Sequence, residues 1–273
     1  MPFFKTRSGI NLHYEIYPRS SKKQLTFIHG HLGSSRWWTP VLNELKNKEL
    51  CQNSEQLTES IVLIDFHGCG KSESPLSIPN FKFETVIADL NDLLVNLNLP
   101  HYNLIGHSAG GLIVLHLLAQ SNHRYNTAVM ISPVGLDGLK FDDNLYPIYH
   151  KMANNYEITR KVIGSTIFQN DENSVFFNDV IATDAFAGLQ KLNHIFVDLL
   201  KNYSSHHIPI KIWQKTLIIH GFNDHLLSYI ESENMCSKLK NSKVIILKNA
   251  GHCPIIETPN LVANEINHFY LHV

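Results

Sequence analysis

Short apolar runs recur along the chain, each followed by a turn and then by a helical pattern. They occupy residues 25–28, 61–64, 102–105, 128–131, 217–219 and 244–247. Their apolar residues are nearly continuous rather than strictly alternating, the pattern of strands buried on both faces of a parallel sheet. Amphipathic helices are predicted between them. Residues 83–97 set Val86, Ile87, Leu90, Leu93, Leu94 and Leu97 at the i, i+3, i+4, i+7 spacing, and residues 261–271 repeat it through Leu261, Val262, Ile266, Phe269 and Tyr270. The opening residues 3–17 alternate and contain Ser8-Gly9, which predicts an antiparallel hairpin.

One stretch breaks the alternation. Residues 136–212 contain no strong strand pattern, are rich in Phe, Tyr, Asn and Asp, and carry helical patterns such as 185–200. An insertion of that length between two strands predicts a helical layer over the carboxyl ends of the sheet, where open α/β sheets carry their sites. The expected division is a core of residues 1–135 and 213–273 with a helical lid of residues 136–212. Residues 47–60 are polar and predict a loop or a frayed helix end. No internal repeat is visible.

The bulk composition narrows the partners. In 273 residues, 44% are hydrophobic, enough for a large core. Lys and Arg number 23 against 24 Asp and Glu, with no basic tract, which argues against nucleic acid. The longest apolar stretches are too short to span a bilayer, and the first residues lack a signal-peptide pattern. Four cysteines (Cys51, Cys69, Cys236, Cys253) show no C-x-x-C or zinc-finger spacing, which fits free thiols and a cytoplasmic location. Composition does not fix the oligomeric state.

The strongest local signal is Gly106-His107-Ser108-Ala109-Gly110-Gly111, set between the strand at 102–105 and a helical run at 112–119. Gly-x-Ser-x-Gly in a strand–turn–helix setting is a nucleophile elbow, which holds a serine hydroxyl exposed at the start of a helix. A serine hydroxyl attacks well only when a base takes its proton, and the base is a histidine steadied by a carboxylate. His220-Gly221-Phe222-Asn223-Asp224 follows the strand at 217–219, and Ala250-Gly251-His252 follows the strand at 244–247. The expected catalytic set is therefore Ser108, Asp224 and His252, in the chain order this architecture requires. His29-Gly30-His31-Leu32-Gly33-Ser34 follows the first buried strand, so the backbone N–H groups of His31 and Ala109 are the expected oxyanion donors. Trp37 and Trp38 come next and are candidates for substrate contact, with core packing expected for at least one.

Two decoys are set aside. Gly68-Cys69-Gly70-Lys71-Ser72 imitates the end of a phosphate loop, but the position that loop needs as its first glycine is Asp65. His206-His207 has no carboxylate nearby in the sequence and reads as a solvated loop, so no metal site is expected.

These motifs, with Asp65-Phe66-His67-Gly68-Cys69-Gly70-Lys71-Ser72, make the chain resemble the α/β-hydrolase superfamily, in its branch with a helical cap inserted late in the sheet. The resemblance implies an eight-stranded, mostly parallel sheet flanked by helices, one strand antiparallel, with the cap after strand 6. It also implies hydrolysis through a covalent acyl intermediate, with no metal or organic cofactor. The family's Asp-x-Arg-Gly segment carries His67 in place of arginine here, which predicts weaker ion pairing in that loop.

A serine at position 108 argues against the aspartate-dependent haloalkane dehalogenase and epoxide hydrolase branches. Hydrolysis of a carboxylic ester or thioester of a small to medium apolar acyl substrate is the leading expectation. Cap aromatics such as Phe141, Tyr146, Tyr149, Phe168, Phe176, Phe177, Phe186 and Phe196 are expected to supply some of the apolar surface. Carbon–carbon bond hydrolysis on the same triad is the alternative within enzymes. A ligand-binding receptor or sensor with the hydrolase fold is the alternative from another class.

Overall fold

The computed structural model describes residues 2–17, 23–51, 60–74, 81–98, 101–120, 124–140, 146–191, 193–204 and 212–271. In its central strands each continuous apolar run divides between two faces, as a period of two requires. Leu25 and Phe27, Ile61 and Leu63, Val129 and Ile131, and Leu217 and Ile219 join one buried cluster. Ile28, Val62 and Ile64, Ala128 and Met130, and Ile218 join the other.

The strands are β1 (Phe3–Lys5), β2 (Asn11–Tyr17), β3 (Lys23–Ile28), β4 (Ser60–Ile64), β5 (His101–His107), β6 (Tyr125–Ile131), β7 (Lys215–Gly221) and β8 (Ser242–Leu247). They form one sheet in the order β1-β2-β4-β3-β5-β6-β7-β8. β2 pairs antiparallel with both β1 and β4, and every other pairing is parallel. The predicted opening hairpin is therefore β1–β2, with Gly9 at φ +88° in its turn. The chain runs from β3 out to β4 and then back to the far side of β3 at β5. That reversal opens a crevice beyond the carboxyl ends of β3 and β5.

The helices are α1 (Thr39–Cys51), α2 (Phe83–Leu97), α3 (Ala109–Gln120), α4 (Tyr146–Asn154), α5 (Tyr156–Ser165), α6 (Thr183–Leu189), α7 (Asn193–Lys201), α8 (Tyr229–Lys238), α9 (Pro254–Glu257) and α10 (Pro259–Leu271). α2 and α3 cover one face of the sheet, and α1 and α10 the other. The predicted helix at 83–97 matches α2, and that at 261–271 lies within α10.

Between β6 and β7 the described residues form α4 to α7 and a π-helical segment, Phe177–Ala182, with no strand among them. The helix predicted over 185–200 is two helices. The chain turns at Gln190 and Lys191, and the Lys191 ammonium donates to the carbonyls of Gly70 at 2.8 Å and Ser72 at 3.2 Å. Those bonds hold the break against the loop after β4. A second tie comes from Asp184 on α6, which accepts from the Ser34 hydroxyl at 2.5 Å and from Arg36.

Candidate active site

β5 runs directly into α3 at Ser108, which has φ +52°. The turn is closed by the Ser108 N–H donating to Ile131 O at 2.9 Å, and by Gly111 N–H donating to Ser108 O at 2.9 Å. It is tight enough to demand glycine on both sides. A Cβ on Gly106 would lie 2.3 Å from Gly110 O, and one on Gly110 would lie 2.3 Å from Ile28 O. Neither contact is sterically possible, so the spacing of the motif is set by the approach of α3 to β3 and β5.

The sequence-predicted residues converge at this turn. Ser108 Oγ is 3.1 Å from His252 Nε2, and His252 Nδ1 is 2.9 Å from Asp224 Oδ2. Asp224 Oδ1 accepts from the N–H groups of Leu226 and Leu227, each at 2.8 Å. Burial by itself would raise the Asp224 carboxyl. Electrostatic interaction with the His252 ring, the hydrogen bonds from His220 and His252 and the Leu227 N–H outweigh it and hold Asp224 well below the usual carboxylate range. An ionised Asp224 only accepts, so His252 carries its proton on Nδ1 and presents the Nε2 lone pair to Ser108.

Two further histidines belong to this framework, and their roles were not read from the sequence. His220 Nε2 lies 3.0 Å from Asp224 Oδ2 and 3.1 Å from Leu227 O, both acceptors, so it donates from that nitrogen. Its Nδ1 then accepts from the Ser232 hydroxyl at 2.7 Å. His107 donates from Nε2 to the His252 carbonyl at 2.9 Å, joining the serine turn to the loop that carries His252. Burial and the nearby His252 ring push His107 down to about 3, so it is neutral near pH 7.

The loop after β3 packs against Ser108. A Cβ on Gly30 would lie 3.1 Å from Ser108 Cβ, which sets the next residue, His31, beside the serine. Ala109 is the first residue of α3 and presents the positive end of that helix. The His31 side chain turns toward the helical layer: its Nε2 is 2.7 Å from the Tyr149 hydroxyl of α4, and its ring stacks on Phe196 of α7 at 5.3 Å. Burial and His29 push His31 down to about 3. A neutral ring gives no charge to attract an acidic group.

A cavity of about 310 Å³ opens over Ser108 and His252. The tryptophan pair divides at its wall. Trp37 lines the cavity, whereas Trp38 is fully buried in the core, edge-on to Phe27 at 5.1 Å. Among the described aromatics of the helical layer only Tyr149 lines the cavity; the surface there is mostly apolar, from Leu139, Ile148, Met152, Val162 and Val197, with Ser165 and Thr166 beside them. Phe177 and Phe196 are core residues, and Phe141 and the Tyr146 side chain lie outside the described residues.

The loop of the decoy is a structural brace. Asp65 accepts from Ser35 N–H at 2.6 Å, Lys71 N–H at 3.0 Å and the His13 ring at 2.9 Å. Its carboxylate occupies the Lys71 N–H, a donor a phosphate loop would turn to its ligand. His67 has a partner: its Nε2 is 2.8 Å from Asp89 Oδ2, which also accepts from the Ser8 hydroxyl. The shorter ring reaches because Asp89 is buried beside it on α2. His206 and His207 lie outside the described residues. Among the described residues no helix is long and apolar enough to cross a membrane.

Residues 25–161 match the family described as the alpha/beta hydrolase fold. The chain belongs to that family. A Haemophilus influenzae protein that bears an esterase/lipase name is 25% identical over 260 residues, 90% of this chain and 82% of that one. Epoxide hydrolase 4 of Mus musculus is 29% identical over 106 residues, and that match covers 39% of this chain and only 27% of the relative. The structure of the esterase EaEST from Exiguobacterium antarcticum superposes with a TM-score of 0.81 at 17% identity, over 98% of each chain. That last likeness is one of fold.

Proposed function

We propose that this α/β hydrolase is a serine esterase that cleaves a carboxylic ester or thioester of a small to medium aliphatic acyl substrate. The observation that carries the reading is the Ser108–His252–Asp224 relay, at 3.1 and 2.9 Å, opening into an aliphatic cavity of about 310 Å³. The volume lies at the lower end of the range typical of ligand pockets, about 300–1,000 Å³.

In this reading Ser108 Oγ attacks the substrate carbonyl as its proton passes to His252 Nε2. Asp224 holds the ring and stabilises the imidazolium that forms. The N–H groups of His31 and Ala109 receive the developing oxyanion. Collapse expels the alcohol or thiol, which takes the proton from His252, and leaves an acyl group on Ser108. Water then attacks the acyl carbonyl as its proton passes to His252, and collapse breaks the bond to Ser108 Oγ, which takes the proton back from His252 as the acid leaves. The helical layer of residues 136–212 acts as a lid on a core of residues 1–135 and 213–273, and supplies most of the aliphatic wall.

A panel of p-nitrophenyl esters from acetyl to decanoyl tests this reading. Multiple turnovers are expected, with an optimum at short to medium chains. Ser108→Ala and His252→Ala should each lower kcat by roughly 10³–10⁶-fold, with more rate left in Asp224→Asn, because the three act as one unit. Release of no more than one equivalent across the panel would instead favour a sensor.

A further inference from the structure

The two residues that flank His252 both donate backbone N–H groups to one carboxylate. Gly251 N–H donates to Glu257 Oε2, and Cys253 N–H donates to Glu257 Oε1 at 3.0 Å. A third N–H, that of Phe168 between β6 and β7, reaches Oε1 at 2.9 Å. Glu257 is the last residue of α9, the single turn that begins at Pro254 straight after the base loop. A Cβ on Gly251 would lie 2.8 Å from Phe168 Cβ, so the inserted segment rests directly on that loop.

Hydrogen bonds to a carboxylate are about twice as strong as neutral ones. Three of them on a largely buried group specify the path of the backbone on both sides of the His252 ring. Burial raises the Glu257 carboxyl above its ordinary value, opposed by the three N–H groups and by the His252 ring. The carboxylate therefore also bears electrostatically on that ring. Among the described residues, the titratable groups around His252 are Asp224 with His220 behind it, His107, Cys253, Glu257 and, at the cavity wall, His31, Tyr149 and His225. Asp224 touches the ring; Glu257 acts through the backbone and through its charge.

We propose that Glu257 is a positioning residue for the base: it clamps the chain on both sides of His252, couples that chain to the lid through Phe168, and adds a negative charge favouring the imidazolium. The inference rests on the reading of His252 as the base of a serine hydrolase. Because His252 must serve Ser108 and then the leaving group, small displacements of its backbone act on the rate of both half-reactions. A lid contact that ends on the same carboxylate gives lid docking a direct route to the base.

The test is the pH dependence of p-nitrophenyl hexanoate hydrolysis by Glu257→Gln, Glu257→Asp and Ser108→Ala beside the unmodified protein. Glu257→Gln keeps the shape, removes the charge and turns an amide NH₂ toward an N–H donor. Its kcat should fall on the order of 10- to 100-fold, the scale of a displaced catalytic group. KM should stay within about twofold, since ground-state contacts are untouched. The acid limb of kcat/KM should move to lower pH, because the imidazolium has lost a stabilising charge. Glu257→Asp keeps the charge but withdraws it by one methylene, so kcat should fall with the acid limb unmoved. Unchanged kcat and acid limb in Glu257→Gln would overturn the proposal, and so would a lower kcat with an unmoved limb, which would mark a purely structural residue. If Glu257→Gln does not fold, Glu257→Asp decides: a lower kcat with KM and the urea unfolding midpoint unchanged supports the proposal, whereas unmodified kcat, or a loss of kcat matched by a lower midpoint, overturns it. Ser108→Ala separates the two levels. Full activity there sinks the reading of the site itself, whereas an inactive Ser108→Ala beside an unaffected Glu257→Gln sinks only the role of Glu257.

Discussion

Ser108, the proposed nucleophile, has an unfavourable backbone: its φ of +52° lies in the left-handed region, where an L side chain is strained. The turn that exposes the hydroxyl imposes that strain, and the hydrogen bonds to Ile131 and Gly111 maintain it. Ser108→Ala keeps the strain, whereas Ser108→Gly removes it. Both should be inactive, and the glycine variant should be the more stable by about 1 kcal/mol, read from urea unfolding midpoints. Equal stability, or a more stable alanine variant, would show that the elbow stores no such strain. At this scale the motif residues were legible because each is a local pattern at a strand end. His220 and His107 stood inside the same motifs, but their roles depend on which ring nitrogen faces which acceptor. Tyr149 stood among the cap aromatics expected to line the pocket, but its bond to His31 had no local signal, because it crosses 118 positions of chain.

At the scale of elements, the cavity is an aliphatic groove between the sheet's carboxyl ends and the inserted helices. Val197 on α7 lines it and is buried. Val197→Phe should shorten the cavity and move the preferred p-nitrophenyl ester toward acetyl or butyryl, with kcat/KM for octanoyl falling by about tenfold or more. An unchanged chain-length profile would place the acyl group elsewhere. The strands and helices α2 and α10 were readable because hydrophobic periodicity reports burial directly, and α3, buried on all sides, because its apolar run follows the Ser108 turn. The break between α6 and α7 was not, since it is fixed by Lys191 reaching carbonyls of a loop after β4. Nor was the division of the tryptophans, because two adjacent side chains on a single turn point in different directions, Trp37 to the cavity and Trp38 to Phe27.

Across the whole molecule, the buried histidines tie stability to pH. Burial holds His31 and His107 to about 3 and His116 to about 4, from an ordinary value of 6.5. The unfolded chain therefore binds more protons than the folded one between about pH 4 and 6.5, and stability must fall as pH falls through that window. Asp224 and Asp65, held below the carboxylate range, add to the loss only at lower pH. The urea midpoint should thus decline between pH 7 and pH 5, before the carboxylates titrate. A flat midpoint over that interval would contradict the burial of neutral histidines. The proposed function concentrates reactivity at the Ser108 hydroxyl, 3.1 Å from His252 Nε2. Labelling with a fluorophosphonate, followed by intact-mass measurement and peptide mapping, tests that most directly. One reagent per chain at Ser108 is expected, absent in Ser108→Ala and strongly slowed in His252→Ala. No labelling of the folded protein, or equal labelling of Ser108→Ala, would contradict it.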